Sequence, residues 1–208
     1  ADVGEDTIVY SDQSDYAANL EMAKNQRSDQ KVHEAIGELQ KVATSNAKSV
    51  SEVAKLLQVD EKRVIKTLLL FVDEQPLLVL LRGTDELNNV KLTNYLGANE
   101  VRLATTEEAR QLLGADFGSL GPVGLQGAAA NLKVLADLDV KLMENAIVGA
   151  NQNGFHYLNA NLGRDYHVAE FTDLRLVREG EISPDGRGKL KFTRGIEIGH
   201  VFKLGTRY

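Results

Sequence analysis

The run Lys66-Thr67-Leu68-Leu69-Leu70-Phe71-Val72 constrains this chain more than any other segment. Its apolar residues are consecutive, where a half-buried strand would alternate them with polar ones. A strand of this kind is buried on both faces. Pro76 to Leu81 reads as a second strand, and Asp73-Glu74-Gln75 makes a tight connection between the two. Helices alternate with these strands. Ser49-Val50-Ser51-Glu52 has the spacing of a capping box, in which Ser49 accepts from the third amide and Glu52 reaches back. That helix continues as Val53-Ala54-Lys55-Leu56-Leu57. Asp60 is placed to cap a second short helix, Glu61 to Ile65. Glu86 to Leu96 reads as a helix ended by Gly97, and Thr105-Thr106-Glu107-Glu108 opens another that Gly114 stops. Val101 to Leu103 is a short strand. Later strands are expected near Lys133 to Ala136, Ala146 to Gly149, His156 to Asn161 and Val168 to Phe171. This order belongs to the α/β or α+β class. The close spacing of the last strands implies a mixed sheet with surrounding helices.

The two ends follow a different pattern. Thr7-Ile8-Val9-Tyr10 is β-rich, Asp15 to Ala23 reads as helical, and residues 24–34 are polar and linker-like. Near the other end, Ser183-Pro184-Asp185-Gly186-Arg187-Gly188 is a turn. Leu190 to Leu204 then alternates like a strand, with Ile196, Ile198 and His200 on one side. The expected organisation is an inserted domain over residues 35–178, with flanks at 1–34 and 179–208. Charge divides the same way. Residues 1–21 hold six acids and no Lys or Arg, whereas residues 183–208 hold six bases and two acids. Such tails attract, and residues 7–10 are expected beside residues 194–204 as a small antiparallel β-pair.

Several classes of function are excluded early. The chain has no cysteine, so it has no disulfide scaffold, thiolate zinc site or thiol nucleophile. The four histidines, at 33, 156, 167 and 200, show no metal-binding spacing, and no metal is expected. No apolar run approaches the ~20 residues of a membrane helix. The acidic start, Ala1-Asp2-Val3-Gly4-Glu5-Asp6, does not read as a signal peptide, which makes a cytoplasmic protein the expectation. The net charge of −6 by itself weighs against a nucleic-acid partner.

Four features carry possible chemistry. Five glycines fall between Gly114 and Gly127, centred on Gly118-Ser119-Leu120-Gly121-Pro122. Such a loop can present backbone amides to a phosphate or a carbonyl oxygen, or it can be an ordinary mobile loop. It is neither a P-loop nor a dinucleotide fingerprint. Ser119 is not in a nucleophile elbow, since Gly118-Ser119-Leu120-Gly121 lacks that spacing. Lys66 opens the most apolar strand, where it either snorkels to the surface or points into a pocket to hold a negative charge. His156 follows a turn and is either a structural histidine or part of a pocket. Asp137 ends a strand-like run and by itself resembles any surface aspartate.

Together these segments resemble the bacterial-type prolyl-tRNA synthetases, specifically the editing domain inserted between catalytic motifs 2 and 3. The resemblance covers essentially the whole chain. Its flanks are carried by Gly4-Glu5-Asp6-Thr7-Ile8, Ser14-Asp15-Tyr16-Ala17-Ala18-Asn19, Ser183-Pro184-Asp185-Gly186 and Arg194-Gly195-Ile196-Glu197-Ile198-Gly199-His200. The middle is similar to the YbaK-like aminoacyl-tRNA deacylases through Lys66-Thr67-Leu68-Leu69, Gly118-Ser119-Leu120-Gly121-Pro122 and Gly149-Ala150-Asn151. No catalytic motif 1 or 3 and no anticodon-binding domain can be read. The expectation is therefore a fragment that does not itself ligate proline.

The resemblance implies a YbaK-like editing-domain fold and hydrolysis of alanine mischarged onto the proline tRNA. It implies that Lys66 contacts the phosphate of the terminal adenosine. Gly118, Gly121 and Pro122 match the loop that faces the aminoacyl ester, with Ser119 and Leu120 between them. His156 matches the histidine bounding the amino-acid pocket. Asp137 matches the acidic residue, although a one-gap shift would exchange it for Asp139. Thr44, Val50 and Val53 match the lining of the side-chain pocket. The implied partners are the tRNA acceptor end and the rest of the synthetase. Editing would need no cofactor, and ATP and Mg would serve the parent ligase only. Three alternatives stand beside this one: a non-hydrolytic acceptor-binding module, a deacylase for another amino acid such as cysteine, and a general esterase.

Overall fold

The computed structural model describes residues 6–28 and 30–195. The apolar run forms the centre of its main sheet. Strand β4 is Ile65–Val72 and β5 is Gln75–Arg82, paired antiparallel with Val72 opposite Gln75. (Strands β1, Thr7–Ser11, β2, Ala17–Asn19, and β3, Gln40–Ala43, and helix α1, Val50–Leu57, precede them in the chain.) Asp73 and Glu74 make the turn with φ of 47° and 66°. Positive φ at both central residues is the two-residue turn whose twist suits a hairpin. Asp73 is held there because its carboxylate accepts from the Asn99 and Glu100 amides, at 3.1 and 2.8 Å.

Both faces of this hairpin are covered, which explains the unbroken apolar run. Leu69, Leu78 and Leu80 face one core, together with Ala109 and Leu113 of helix α3 (Thr106–Leu113). Leu70, Leu77, Val79 and Leu81 face a second core, with Leu92 of helix α2 (Asn89–Leu96) and Leu174. Strand β6 (Val101–Leu103) adds antiparallel to β4. Strands β7 (Lys133–Asp137) and β10 (Glu170–Thr172) extend the other edge in parallel. The order β10-β7-β5-β4-β6 is a mixed sheet, as expected. Among the described residues, no helix is long and apolar enough to cross a membrane.

A second sheet has the order β3-β9-β8, from Gln40–Ala43, Phe155–Ala160 and Ala146–Gly149. Helix α1 (Val50–Leu57) begins with the expected capping box, Ser49 with Glu52. Thr105 and Glu108 form the second box, at the start of α3. Gly97 and Gly114 end α2 and α3 in the left-handed conformation.

Some expectations need correction. Helix α2 starts at Asn89 because the Asn88 side chain caps Val90 and Lys91, three residues beyond the expected Glu86. Glu61–Arg63 is one 3-10 turn, after which Val64 and Ile65 are drawn into the core as extended chain. The segment Asp15 to Ala23 is not a helix. It forms β2 (Ala17–Asn19) and the 3-10 turn Leu20–Met22. Ala18 pairs with Val9, and Leu20 and Ala23 pack with Val9, Val177 and Leu190.

The ends meet as an antiparallel pair, but through residues 190–194, of which only Arg194 falls in the expected span 194–204. Strand β1 (Thr7–Ser11) lies antiparallel to β11 (Leu190–Arg194), from Thr7 opposite Arg194 to Ser11 opposite Leu190. The continuation expected through Ile196, Ile198 and His200 lies outside the described residues, as do Gly4 and Glu5.

Candidate active-site cleft

A cleft of about 420 Å³ opens between three elements. The start of α1 supplies Lys48, Ser49, Val50, Ser51 and Val53. The start of β4 supplies Ile65 to Leu68. The glycine loop supplies Phe117, Gly118 and Leu120, with Gly149 and His156 behind. Two lysines, Lys48 and Lys66, line the cleft, and among the described residues no carboxylate does. The net charge of the chain is −6, so this local excess of positive charge is a property of the site. Lys66 takes part in no ion pair among the described residues. Its ammonium is therefore available to a ligand.

The glycine loop is built by close backbone approach. Gly118 has φ 95°, and a Cβ there would lie 2.7 Å from the Lys48 carbonyl oxygen. At Gly121 the chain crosses Gly149 so closely that a Cβ would overlap the Gly149 carbonyl. Asn151 secures the crossing. Its Oδ1 accepts from the Gly121 amide at 2.8 Å, and its Nδ2 donates to the Gly121 carbonyl at 2.9 Å. The Ser119 amide is engaged by Asp116. The Gly118 and Leu120 amides are left with no protein acceptor among the described residues, and both residues line the cleft. Gly121→Ala is expected to destabilise the fold by about 1–3 kcal/mol through overpacking. A thermal melt measures this, and an unchanged midpoint would show that the crossing tolerates a methyl group.

His156 is 3% exposed and sits on β9 opposite Gly149 and Val42. Its Nδ1 lies 2.6 Å from Oγ1 of the fully buried Thr44. Burial pushes the imidazole pKa below 6.5, and a hydrogen bond with the Gly118 backbone offsets this only in part. The ring is neutral at pH 7. In an unfolded chain it would titrate near its ordinary value. As pH falls through 6.5, the unfolded state therefore binds its proton first and stability drops. His156→Gln should remove that part of the pH dependence, as thermal melts on both sides of 6.5 would show. Identical slopes in the two proteins would contradict the assignment.

The cleft brings together Lys66, Gly118, Leu120, Val50, Val53 and His156 from the residues singled out in the sequence. Others stand behind it. Thr44, expected as a pocket wall, is outside the cleft lining but lines an adjoining hollow and hydrogen-bonds the His156 ring. Ser119, Gly121 and Pro122 shape the loop without lining the cleft.

Asp137, expected among the catalytic groups, lies outside the cleft lining. Its carboxylate is fully buried and grips Arg27 in a bidentate pair at 2.8 and 2.9 Å. It also accepts from the Leu174 and Asp139 amides, both at 3.0 Å. Burial alone would raise its pKa, but the Arg27 contact outweighs this and holds it below the usual range. Asp139 is no substitute, because it pairs with Arg27 and Arg175. Asp85, Asp137 and Asp139 lie close enough together to suggest a metal site. Arg27, Arg175 and Arg178 interleave them, however, and supply the countercharge.

Lys48, Thr67 and Phe117 also line the cleft, and none of them stands out as a site residue in the sequence. Thr67 is 7% exposed, and its hydroxyl has no partner among the described residues. Lys48 directly precedes the helix cap Ser49, and nothing else in its sequence context marks it.

The family model described as "Aminoacyl-tRNA editing domain" matches residues 44–166. A proline–tRNA ligase from Ligilactobacillus salivarius (strain UCC118) is 64% identical over 208 residues, covering 100% of this chain and 36% of that protein. One from Lactococcus lactis subsp. lactis (strain IL1403) is 58% identical over 205 residues, covering 99% and 33%. The chain thus spans about a third of the length of these curated relatives. Among solved structures, a candidate trans-editing enzyme for prolyl tRNA synthetase aligns with a TM-score of 0.55. Its identity is 21%, with coverage of 67% of this chain and 87% of that one. A hypothetical protein aligns at 0.52 with 20% identity, covering 66% and 91%. Both structural likenesses are of fold.

Proposed function

The chain belongs to the aminoacyl-tRNA editing domain family, and on that premise we propose that its cleft hydrolyses the ester joining alanine to the 3′ end of the proline tRNA. One observation carries this reading: among the described residues, the cleft is lined by two lysines and no carboxylate, beside a loop with two unengaged amides. Lys66 holds the phosphate of the terminal nucleotide, with Lys48 close by. The Gly118 and Leu120 amides receive the negative charge that develops on the ester carbonyl oxygen, where preorganised donors act most strongly. Water adds to the carbonyl carbon, the bond to the ribose oxygen breaks, and that oxygen takes the proton. An aminoacyl ester is already activated, so water held by the loop suffices without a protein nucleophile. The neutral His156 ring is engaged by Thr44 and by Gly118. We therefore assign it to the pocket wall and give the proton relay to the tRNA's own ribose hydroxyl.

Val50 and Val53 flank the cleft as a β-branched wall that admits a methyl group and rejects larger side chains. Exclusion is the effective route to discrimination here, since attraction to one methyl supplies only about 1–3 kcal/mol. Val50→Ala should therefore raise hydrolysis of 2-aminobutyryl relative to alanyl ester by about tenfold. An unchanged ratio would remove Val50 from the selectivity wall.

On the same reading, residues 35–178 are the editing module. Residues 1–34 and 179–208 connect it to the catalytic core of a proline–tRNA ligase in the cytoplasm. The β1–β11 pair supports this, because it brings the two flanks side by side. Editing itself uses no cofactor, and ATP and Mg serve ligation by the parent enzyme.

A further inference from the structure

A second polar groove, of about 410 Å³, lies behind the glycine loop. Its lining includes Lys41, Arg110, Gln111, Gln126, Gln152 and Tyr157, and among the described residues no carboxylate. Asn151, which clamps Gly121 of the glycine loop, also lines this groove, as do Val123 and Gly124 of the same loop. The groove and the cleft thus draw on neighbouring stretches of one loop, the cleft on Gly118 and Leu120. A smaller hollow of about 110 Å³ lies between them. It shares Lys48 and Phe117 with the cleft, and Asp116 on its wall bonds Arg110 of the groove at 2.6 Å.

The chemistry of the lining identifies the ligand class. A simple anion would need only the cations. Three exposed glutamine carboxamides add paired donors and acceptors, which suit the edges of unpaired bases. Tyr157 adds a ring on which a base can stack. Lys41, over the Phe155 ring at 5.4 Å, adds charge for the phosphates, while Arg110, whose charge Asp116 balances, offers its remaining N–H groups as hydrogen-bond donors. Cations, carboxamides and an aromatic ring together describe a single-stranded RNA site.

We infer that this groove binds the unpaired nucleotides just before the terminal adenosine, so that the 3′ strand passes behind the glycine loop and across Phe117 into the cleft. The inference rests on the editing reading and adds a binding site to it. Positioning the strand on the loop that supplies the oxyanion donors would fix the ester relative to those donors.

The test uses this chain and two uncharged RNA hairpins, one with a four-nucleotide 3′ overhang and one blunt. The double variant Lys41→Glu, Gln152→Ala changes two exposed residues, and its thermal melt should match the wild type. Fluorescence anisotropy should show overhang binding weakened about tenfold or more, with blunt binding unchanged, since base stacking and edge contacts are lost. In single-turnover deacylation of an alanyl hairpin, the half-saturating concentration should rise while the maximal rate stays within twofold of wild type. Equal wild-type affinity for the two hairpins, or equal weakening of both, would overturn the inference. Lys66→Ala in the same series keeps the two readings apart. If it is inactive and the double variant behaves as wild type, the cleft stands and the groove falls. If the wild type hydrolyses nothing and overhang binding still depends on Lys41 and Gln152, the groove stands and the hydrolytic reading falls.

Discussion

Lys66→Ala should lower kcat/KM for the alanyl ester by about 10- to 100-fold and leave the thermal melt unmoved. The size follows from a hydrogen bond to a charged group, worth about 1.5–3 kcal/mol. The unmoved melt follows from the structure, since Lys66 is engaged in no ion pair among the described residues and its loss leaves no buried partner behind. Lys66→Arg restores the charge but not the shape of the ammonium, so it should recover part of the loss. Wild-type kinetics in Lys66→Ala would contradict the account. A lowered melt with proportionate loss of activity would do the same, because Lys66 would then be a structural residue.

Asp137→Ala is expected to show the opposite signature. Removing one partner from a buried ion network costs about 3–5 kcal/mol where the remaining charge is left uncompensated, and the lower end is expected here because Arg27 keeps Asp139 and Asp173. Arg27 would lose its bidentate partner, and the Leu174 and Asp139 amides would lose their acceptor. The melt should fall steeply, while the fraction that remains folded should hydrolyse the ester at nearly the normal rate. The native pKa of Asp137 is depressed, so its stabilisation is present above the unfolded value near 3.8 and is lost as pH falls through the native value. A variant that melts like the wild type but is inactive would return Asp137 to the catalytic groups.

These two residues show what could be read from the sequence and what could not. The hairpin was legible because an unbroken apolar run has few stable placements other than a sheet covered on both faces. The caps at Ser49 and Thr105 were legible because their hydrogen bonds are local and have fixed spacing. The segment Asp15 to Ala23 was misread because its extended shape comes from pairing with β1, a partner supplied by tertiary structure. Strand β3 was missed for a related reason. Its residues are exposed or half-buried, and it is held by pairing with β9. For the site, the resemblance gathered six residues that the fold does bring into one cleft. It placed Asp137 among them because sequence spacing cannot reveal that Arg27, 110 positions earlier, occupies both carboxylate oxygens. Lys48 went unnoticed because a lone lysine before a helix cap has no distinctive pattern.

The central claim is that the cleft removes alanine and spares proline. Its most direct test is the hydrolysis by this chain of alanyl- and prolyl-tRNA for proline, side by side, with cysteinyl-tRNA as a third substrate. The account predicts rapid loss of the alanine ester, with the proline and cysteine esters decaying no faster than in buffer. Faster loss of the cysteine ester, equal loss of all three, or alanine loss no faster than in buffer would contradict it.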